Sequence, residues 1–158
     1  MLKDKKLSEF NYKVLHNILP CNVNLLKWKK KLSDICSICN TVEDIPHMLY
    51  HCVYAKKIWD KLNCGNDIYI SDFDVIIGND LSDIDIHILS FITYFIYKMW
   101  LKHSFNDESR DIDTVLHLLK VELTYIYKVY CTLQCHVLCE ALQHVIDLLW
   151  SILCYILT

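Results

Sequence analysis

The sequence predicts a mostly α-helical protein, and three observations favour this fold class. The chain has 158 residues but only two glycines and two prolines, which are too few for the tight turns of a β-rich domain. Hydrophobic residues make up 54% of the chain and recur at the three- and four-residue spacings of helices. The charged fraction, 22%, is too small beside this apolar content for an intrinsically disordered chain.

Residues 1–62 are predicted to form a small helical head. Apolar side chains share one helical face over residues 9–19, and Pro20 ends that helix. Asn22 can cap a second, short helix, and Asp44 can cap a third. The head therefore consists of short helices separated by polar turns.

Residues 63–110 are predicted to contain a connecting segment followed by a long apolar helix. The connection includes a short capped segment at 71–78 that ends in a glycine. Ser82 or Asp83 can cap the long helix, which ends near His103.

Residues 111–158 are predicted to form one long C-terminal helix, because no glycine or proline interrupts them. Apolar residues alternate spacings of four and three, which is the heptad seam of a helix that packs along a neighbour or a second copy of itself. The seam residues are Ile112, Leu116, Leu119, Leu123, Ile126, Tyr130, Leu133 and Val137. We expect the longer helices to form a bundle behind the head.

The basic residues are concentrated in the head. The first 60 residues carry ten lysines against six acidic residues, a net charge of +4, whereas residues 61–158 carry six basic and thirteen acidic residues, a net charge of −7. A positively charged head is the part of the chain that could meet phosphate groups.

Cysteine content and hydropathy favour an intracellular protein of the cytoplasm or nucleus. Nine cysteines follow a polar N-terminus without the apolar core of a secretory signal, which is typical of a reduced chain that uses cysteine for metal binding or core packing. Residues 84–101 and 148–157 are too polar or too short for a membrane-spanning helix, so we expect no membrane partner.

The strongest chemical pattern is a cluster of metal ligands between residues 36 and 52. Cys36 and Cys39 have the Cys-x2-Cys spacing that places two thiolates on one tight turn, and His47 and Cys52 follow at short range. Thiolates combined with an imidazole select Zn²⁺ in a tetrahedral site. Because four protein ligands leave no position for an activated water, the zinc would staple the head and have a structural role.

The spacing alone leaves the fourth ligand open. His47 and Cys52 are five residues apart, so on an unbroken α-helix they would point about 140° away from each other. His47 and His51 are four apart and would share a face. Either the helix breaks near Cys52, which we favour because a thiolate binds zinc strongly, or His51 is the alternative metal ligand.

A second group of cysteines lies on one stripe of the C-terminal region. Cys131, Cys135 and Cys139 are four residues apart and could form another metal site with His136. The favoured interpretation is that they are small packing residues, since cysteine is among the most buried residue types.

A basic segment that contains an aromatic residue immediately precedes the Cys-x2-Cys turn. Lysine side chains neutralise phosphates, and an exposed tryptophan can stack on an unpaired base. The alternative is a solvated helix face with a buried tryptophan. The candidate nucleic-acid-binding residues are Lys27, Trp28, Lys29, Lys30, Lys31, Lys56 and Lys57.

The order and spacing of these residues resemble a known family, the reverse-transcriptase-associated zinc-binding domain. That domain lies after the polymerase in LINE-type (non-LTR) retrotransposon polyproteins. The resemblance covers residues 10–62 well and continues more weakly to about residue 128. It departs from the family at Val53, where a proline commonly follows the last cysteine. The matching features are the helix at 10–20, the segment at 24–28, the Cys-x2-Cys turn, Glu43, His47, Cys52 and Trp59.

The resemblance implies a ligand set and a role. It implies that Cys36, Cys39, His47 and Cys52 hold a structural Zn²⁺, and that the domain assists in handling template RNA and target DNA.

These observations together favour a non-catalytic, zinc-binding accessory module that assists RNA or single-stranded DNA binding. No catalytic residue is predicted, because the sequence has no Tyr/Phe-x-Asp-Asp motif and no glycine-rich phosphate loop. One alternative is a structural module that forms a homo-oligomer, or contacts a parent polymerase, through its C-terminal helices. Another is a non-functional remnant of a retroelement.

Overall fold

The computed structural model describes residues 5–63, 83–106, 111–132 and 136–156, and the described chain is mostly helical, as predicted. Within these ranges the β-structure is limited to an isolated antiparallel bridge between Ile35 and Val42. The short segment predicted at 71–78 lies outside the described residues. In chain order the elements are α1 (Lys5–Leu15), α2 (Asn22–Lys27), a π-helical turn (His47–His51), α3 (Val53–Asn63), α4 (Asp83–Asn106), α5 (Ile112–Thr132) and α6 (His136–Ile156).

Helix α1 stops earlier than the predicted end at residue 19, because Asn17 takes the left-handed backbone conformation with φ 53°. The backbone N–H groups of Asn17 and Ile18 donate back to carbonyls of the last turn, at 3.0 and 2.9 Å. This is the Schellman arrangement, which satisfies the carbonyls left unpaired where a helix ends. The chain therefore turns before it reaches Pro20.

Helix α2 ends in the same arrangement, but with a lysine at the left-handed position. Lys29 has φ 58°, and its N–H donates to the Leu26 carbonyl at 2.9 Å, while the Lys30 N–H donates to the Leu25 carbonyl at 2.8 Å. Glycine is usual at this position because any Cβ crowds the left-handed conformation at a cost of about 1 kcal/mol.

Helix α4 lies at the centre of the structure and contacts α1, the π-helical turn, α5 and α6. Its buried residues lie on every side of the helix, as expected for an element surrounded by others. Phe10 of α1 packs against Tyr94 and Tyr97 at ring-centroid distances of 5.2 and 5.5 Å. Lys98 forms an ion pair with Glu122, which ties α4 to α5.

The structure corrects the prediction of one long helix over residues 111–158. Two helices, α5 and α6, pack against each other instead. The sulfur atoms of Cys131 and Cys139 are only 2.9 Å apart, whereas eight residues of continuous α-helix would rise about 12 Å. The heptad pattern predicted a neighbouring helix correctly, and that neighbour is part of the same chain.

Most heptad-seam residues of α5 are buried by its packing within the same chain. Its residues Leu116, Leu119, Leu123 and Tyr130 are buried in the common core with Leu142 and Leu149 of α6. Within the described ranges, no helix combines the length and the apolar character that crossing a membrane requires.

Replacing Lys29 by glycine is expected to stabilise the fold. Lys29→Gly relieves the left-handed strain and should raise the free energy of unfolding by about 0.5–1 kcal/mol, measured by urea denaturation of the zinc-loaded chain. Lys30→Gly is the matched control, since Lys30 lies outside the positive-φ region and should gain nothing. An equal effect of the two substitutions would contradict the strain assignment.

Candidate metal centre

The Cys-x2-Cys turn is built by a short hairpin. The Cys36 N–H donates to the Thr41 carbonyl at 2.8 Å, and the Asn40 N–H donates to the Cys36 carbonyl at 3.0 Å. Asn40 closes the turn in the left-handed conformation, with φ 54°, which asparagine tolerates better than most residues. These bonds hold Cys36 and Cys39 on one side of the hairpin.

A π-helical turn accounts for the five-residue spacing between His47 and Cys52. The Cys52 N–H donates to the His47 carbonyl at 2.7 Å, which is the i to i+5 bond of a π-turn. This wider turn brings residues five apart towards the same side. Cys52 then leaves the helix with ψ 135° before α3 begins at Val53.

The start of the π-helical turn is fixed by a side-chain cap. Asp44 Oδ1 accepts the His47 N–H at 2.8 Å, and Pro46 precedes the turn in a helical conformation. Asp44 is thus the cap that the sequence predicts, and it sets the position of His47 relative to the hairpin.

The four side chains with the predicted spacing meet at one point. The ligand atoms of Cys36, Cys39, His47 and Cys52 all lie within 4.8 Å of one another, and this is the one such group of three or more within the described residues. The Cys52 sulfur is 4.0 Å from that of Cys36 and 3.6 Å from that of Cys39. Tetrahedral zinc with bonds of about 2.3 Å places its sulfur ligands about 3.8 Å apart, so the cluster fits the ion.

His47 supplies an independent sign that a cation belongs here. Its Nδ1 faces Thr41 Oγ1 at 3.5 Å, whereas its Nε2 is buried and, within the described part of the chain, lacks a hydrogen-bond partner. A buried polar nitrogen without a partner costs about 1–3 kcal/mol, and coordination by zinc would remove that cost. Nε2 would therefore be the ligand atom.

The local electrostatics favour thiolates. The hydrogen bond from Cys52 holds the pKa of the Cys36 thiol well below its usual range, and the same bond raises the pKa of Cys52. Backbone N–H groups reinforce the negative charge: the Val53 N–H donates to Cys39 Sγ at 3.3 Å, and the Tyr54 N–H donates to Cys52. A divalent cation would allow all three thiols to ionise together.

His51 lies outside this cluster. It is exposed, and its ring meets Tyr50 edge to face at a centroid distance of 5.2 Å. Since Cys52 is buried among the other ligand atoms, the structure brings together the Cys52 set and not the His51 set. Four protein ligands complete a tetrahedral shell, which is the pattern of a structural site.

The second stripe of cysteines is brought together only in part. Cys131 and Cys139 meet across α5 and α6, while Cys135 lies outside the described residues. His136 is exposed at the start of α6.

Glu43 joins the metal hairpin to the helical core, and its structural role was not predicted. One carboxylate oxygen accepts the Asn22 N–H at 3.2 Å, and the other accepts the indole N–H of Trp100 at 3.0 Å. Burial raises the pKa of Glu43 to about 7, although the bond from Trp100 opposes this shift. The available signal was the family resemblance, whose matching residues include Glu43.

Two buried asparagines anchor α2 to its surroundings. The prediction that Asn22 caps α2 was wrong, because Cys21 takes the cap position and Asn22 is the first residue of the helix. Asn24 was not singled out in the sequence. The side chain of Asn22 donates to the Ile35 carbonyl at 2.8 Å, which ties α2 to the hairpin. The side chain of Asn24 donates to the Asn17 and Leu19 carbonyls at 3.0 and 2.8 Å. Position-specific contacts of this kind leave no periodic pattern in the sequence.

The basic segment divides into an outward-facing part and one inward-facing lysine. Lys27, Trp28, Lys29 and Lys30 are exposed, and so are Lys56 and Lys57 on α3. In contrast, Lys31 donates to Asn22 Oδ1 at 2.6 Å, and its ammonium group lies 5.8 Å from the Trp100 ring centroid and 5.7 Å from that of Phe105. Lys31 therefore supports the fold through these contacts, whereas the other candidate residues are exposed.

Cobalt substitution distinguishes the two ligand sets. In the full chain, Cys52→Ser should reduce the thiolate charge-transfer absorbance of the first bound Co²⁺ by about one third and weaken binding by at least about tenfold. His51→Ala is the matched control and should leave both properties unchanged. Loss of the band in the His51 variant would assign the fourth position to His51 instead.

Comparison with known proteins supports the zinc assignment. Residues 3–59 match the model of a family described as zinc-binding in reverse transcriptase, and this range contains the complete Cys36/Cys39/His47/Cys52 cluster. No curated protein and no solved structure gives a significant match to the chain. Over residues 3–59 the chain is therefore similar to the family described as zinc-binding in reverse transcriptase.

Proposed function

We propose that the chain is a non-catalytic accessory module of a reverse transcriptase, and that its zinc-stabilised head binds RNA or single-stranded DNA. The family match supports an accessory, zinc-binding role in reverse transcription, because it concerns the zinc-binding part and not the polymerase. The more specific proposal is a LINE-type retrotransposon protein that works in the cytoplasm or nucleus, where it would meet template RNA or target DNA.

The observation that carries the proposal is the outward-facing basic segment around Trp28. The Trp28 side chain is 44% exposed, and Lys27, Lys29 and Lys30 beside it are all exposed to solvent. Lysines neutralise backbone phosphates, and an indole ring offers a stacking surface to any unpaired base. Exposed lysines beside an exposed indole are suited to binding single-stranded RNA or DNA without strong sequence preference.

The fold fixes the backbone conformation of the basic segment 27–30. Lys29 keeps its left-handed conformation although glycine would fit better, and the resulting turn places Lys29 and Lys30 directly after the exposed Trp28. The Asn22 bond to Ile35 couples α2 to the metal hairpin, so metal binding would order the basic segment as well. Residues 61–158 carry a net charge of −7 and would repel phosphates, which confines the proposed contact to the head.

Salt dependence of binding tests this proposal. For the zinc-loaded chain and a labelled 20-nucleotide single-stranded RNA, the triple variant Lys27→Gln/Lys29→Gln/Lys30→Gln should reduce the slope of log Kobs against log salt by about 2. Trp28→Ala should weaken binding by about 1–3 kcal/mol and leave that slope unchanged. The measurement is fluorescence anisotropy over a range of salt concentrations.

Lys31→Gln is the matched control, because the inward-facing Lys31 should not contribute to the slope. Absence of binding at low salt by a chain that holds zinc would refute the proposed function. A slope that changes equally in the Lys31 variant would refute the assignment of the outward-facing lysines.

A second candidate function is contact with another protein, either a parent polymerase or a second copy of this chain. It is favoured by an apolar stripe on the outer face of α5, where Val121, Tyr125 and Val129 are exposed at four-residue intervals. Tyr125 is 69% exposed. Because the heptad seam of α5 is buried within the chain, this outer stripe is the surface left for a partner.

For self-association through this stripe, we expect a dimer in sedimentation equilibrium at about 50 μM, within the micromolar range of transient contacts. Tyr125→Lys should shift the chain to a monomer, because a charge would enter the apolar contact. His144→Lys, at an exposed position on α6, is the control and should remain dimeric. A wild-type chain that is strictly monomeric would exclude self-association.

A further inference from the structure

Two cysteines that the zinc site does not use lie side by side in the C-terminal helices. Cys131 is in the last turn of α5, Cys139 is in the first turns of α6, and the Cys131 thiol donates to Cys139 Sγ at 2.9 Å. A disulfide has a sulfur–sulfur length of about 2.05 Å, so a relative shift of less than about 1 Å would join them.

We propose that Cys131 and Cys139 are a redox modification site that forms a reversible intramolecular disulfide. The oxidant is a low-molecular-weight disulfide of the glutathione class. The disulfide would link the end of α5 to the start of α6 and so hold the two helices against each other.

The two thiols have complementary exposure. Cys131 is exposed and can meet an oxidant from solution, and it is hydrogen-bonded to the side chain of Tyr127. Cys139 is only 7% exposed and lies against the core, where it is shielded from solvent but remains beside Cys131. The exposed thiol is thus suited to react first and the buried one to resolve the intermediate.

The exchange balances in two steps. The Cys131 thiolate attacks one sulfur of oxidised glutathione, forming a mixed disulfide and releasing one glutathione thiolate. Cys139 gives its proton to the released glutathione thiolate, attacks the Cys131 sulfur and displaces the second glutathione thiolate. Overall, two protein thiols lose two electrons and two protons, and one glutathione disulfide is reduced to two glutathione thiols.

The zinc-site cysteines should react more slowly. Cys36 and Cys52 are buried, and their sulfurs would be occupied as metal ligands. A metal-bound sulfur is not available as a free thiolate to attack a disulfide, so mild oxidation should spare the head. The C-terminal pair can therefore respond to redox conditions that leave the zinc in place.

The test is peptide mapping of the zinc-loaded full chain after equilibration in glutathione redox buffer. Chymotryptic cleavage after Tyr130, Leu133 and Leu138 places Cys131, Cys135 and Cys139 on three different peptides. After acid quenching and alkylation, non-reducing mass spectrometry should show the Cys131–Cys139 peptide at least about tenfold above any peptide that contains a Cys135 disulfide. Zinc content, measured in parallel, should be unchanged.

Two variants make the assignment specific. Cys135→Ser should retain the cross-link, whereas Cys139→Ser should lose it and leave Cys131 as a mixed disulfide with glutathione. A predominant cross-link to Cys135 would overturn the proposal. So would two unmodified thiols in a chain that keeps its zinc and its helical circular dichroism across the full range of glutathione ratios.

Discussion

The crowding of three sulfur atoms and one imidazole nitrogen within 4.8 Å is the constraint on which the head depends. Three thiolates at such distances would repel one another, and the protonated cluster leaves His47 Nε2 buried without a partner in the described structure. A divalent cation resolves both difficulties. Ile45, Met48 and Leu49 pack this segment into the common core, and coordination would fix the hairpin that carries Cys36 and Cys39 against it.

The head is structurally coupled to the rest of the chain, because buried hydrogen bonds connect the metal hairpin to the helical core. Glu43 links the hairpin to α2 through Asn22 and to α4 through Trp100. Lys31 adds a second link, since it bonds Asn22 and lies over the Trp100 ring. Loss of the hairpin conformation would leave these groups unpaired in a low-dielectric interior, where each is costly.

The predictable part of the structure is what leaves a pattern in the sequence. Periodic apolar residues predicted the helical class and α4, and short-range spacing picked out the cysteines and histidine that converge. The fold of residues 111–158 was not predictable in this way, because a heptad seam requires a neighbour but does not say whether the neighbour is the same chain. Glu43 and Lys31 both contact Trp100, which is 57 or more residues away in the sequence. Hydrophobic periodicity does not encode contacts of this kind.

The π-helical turn has a consequence for how the length of this loop can vary through evolution. A π-turn holds one residue more than the corresponding α-turn, so the segment from His47 to Cys52 behaves as a regular helix with a single residue inserted. Deleting one residue between them would give a four-residue spacing that an ordinary α-helix also places on one face. Natural chains of this type could therefore exchange five- and four-residue spacings by a single-codon insertion or deletion while they keep the same metal shell.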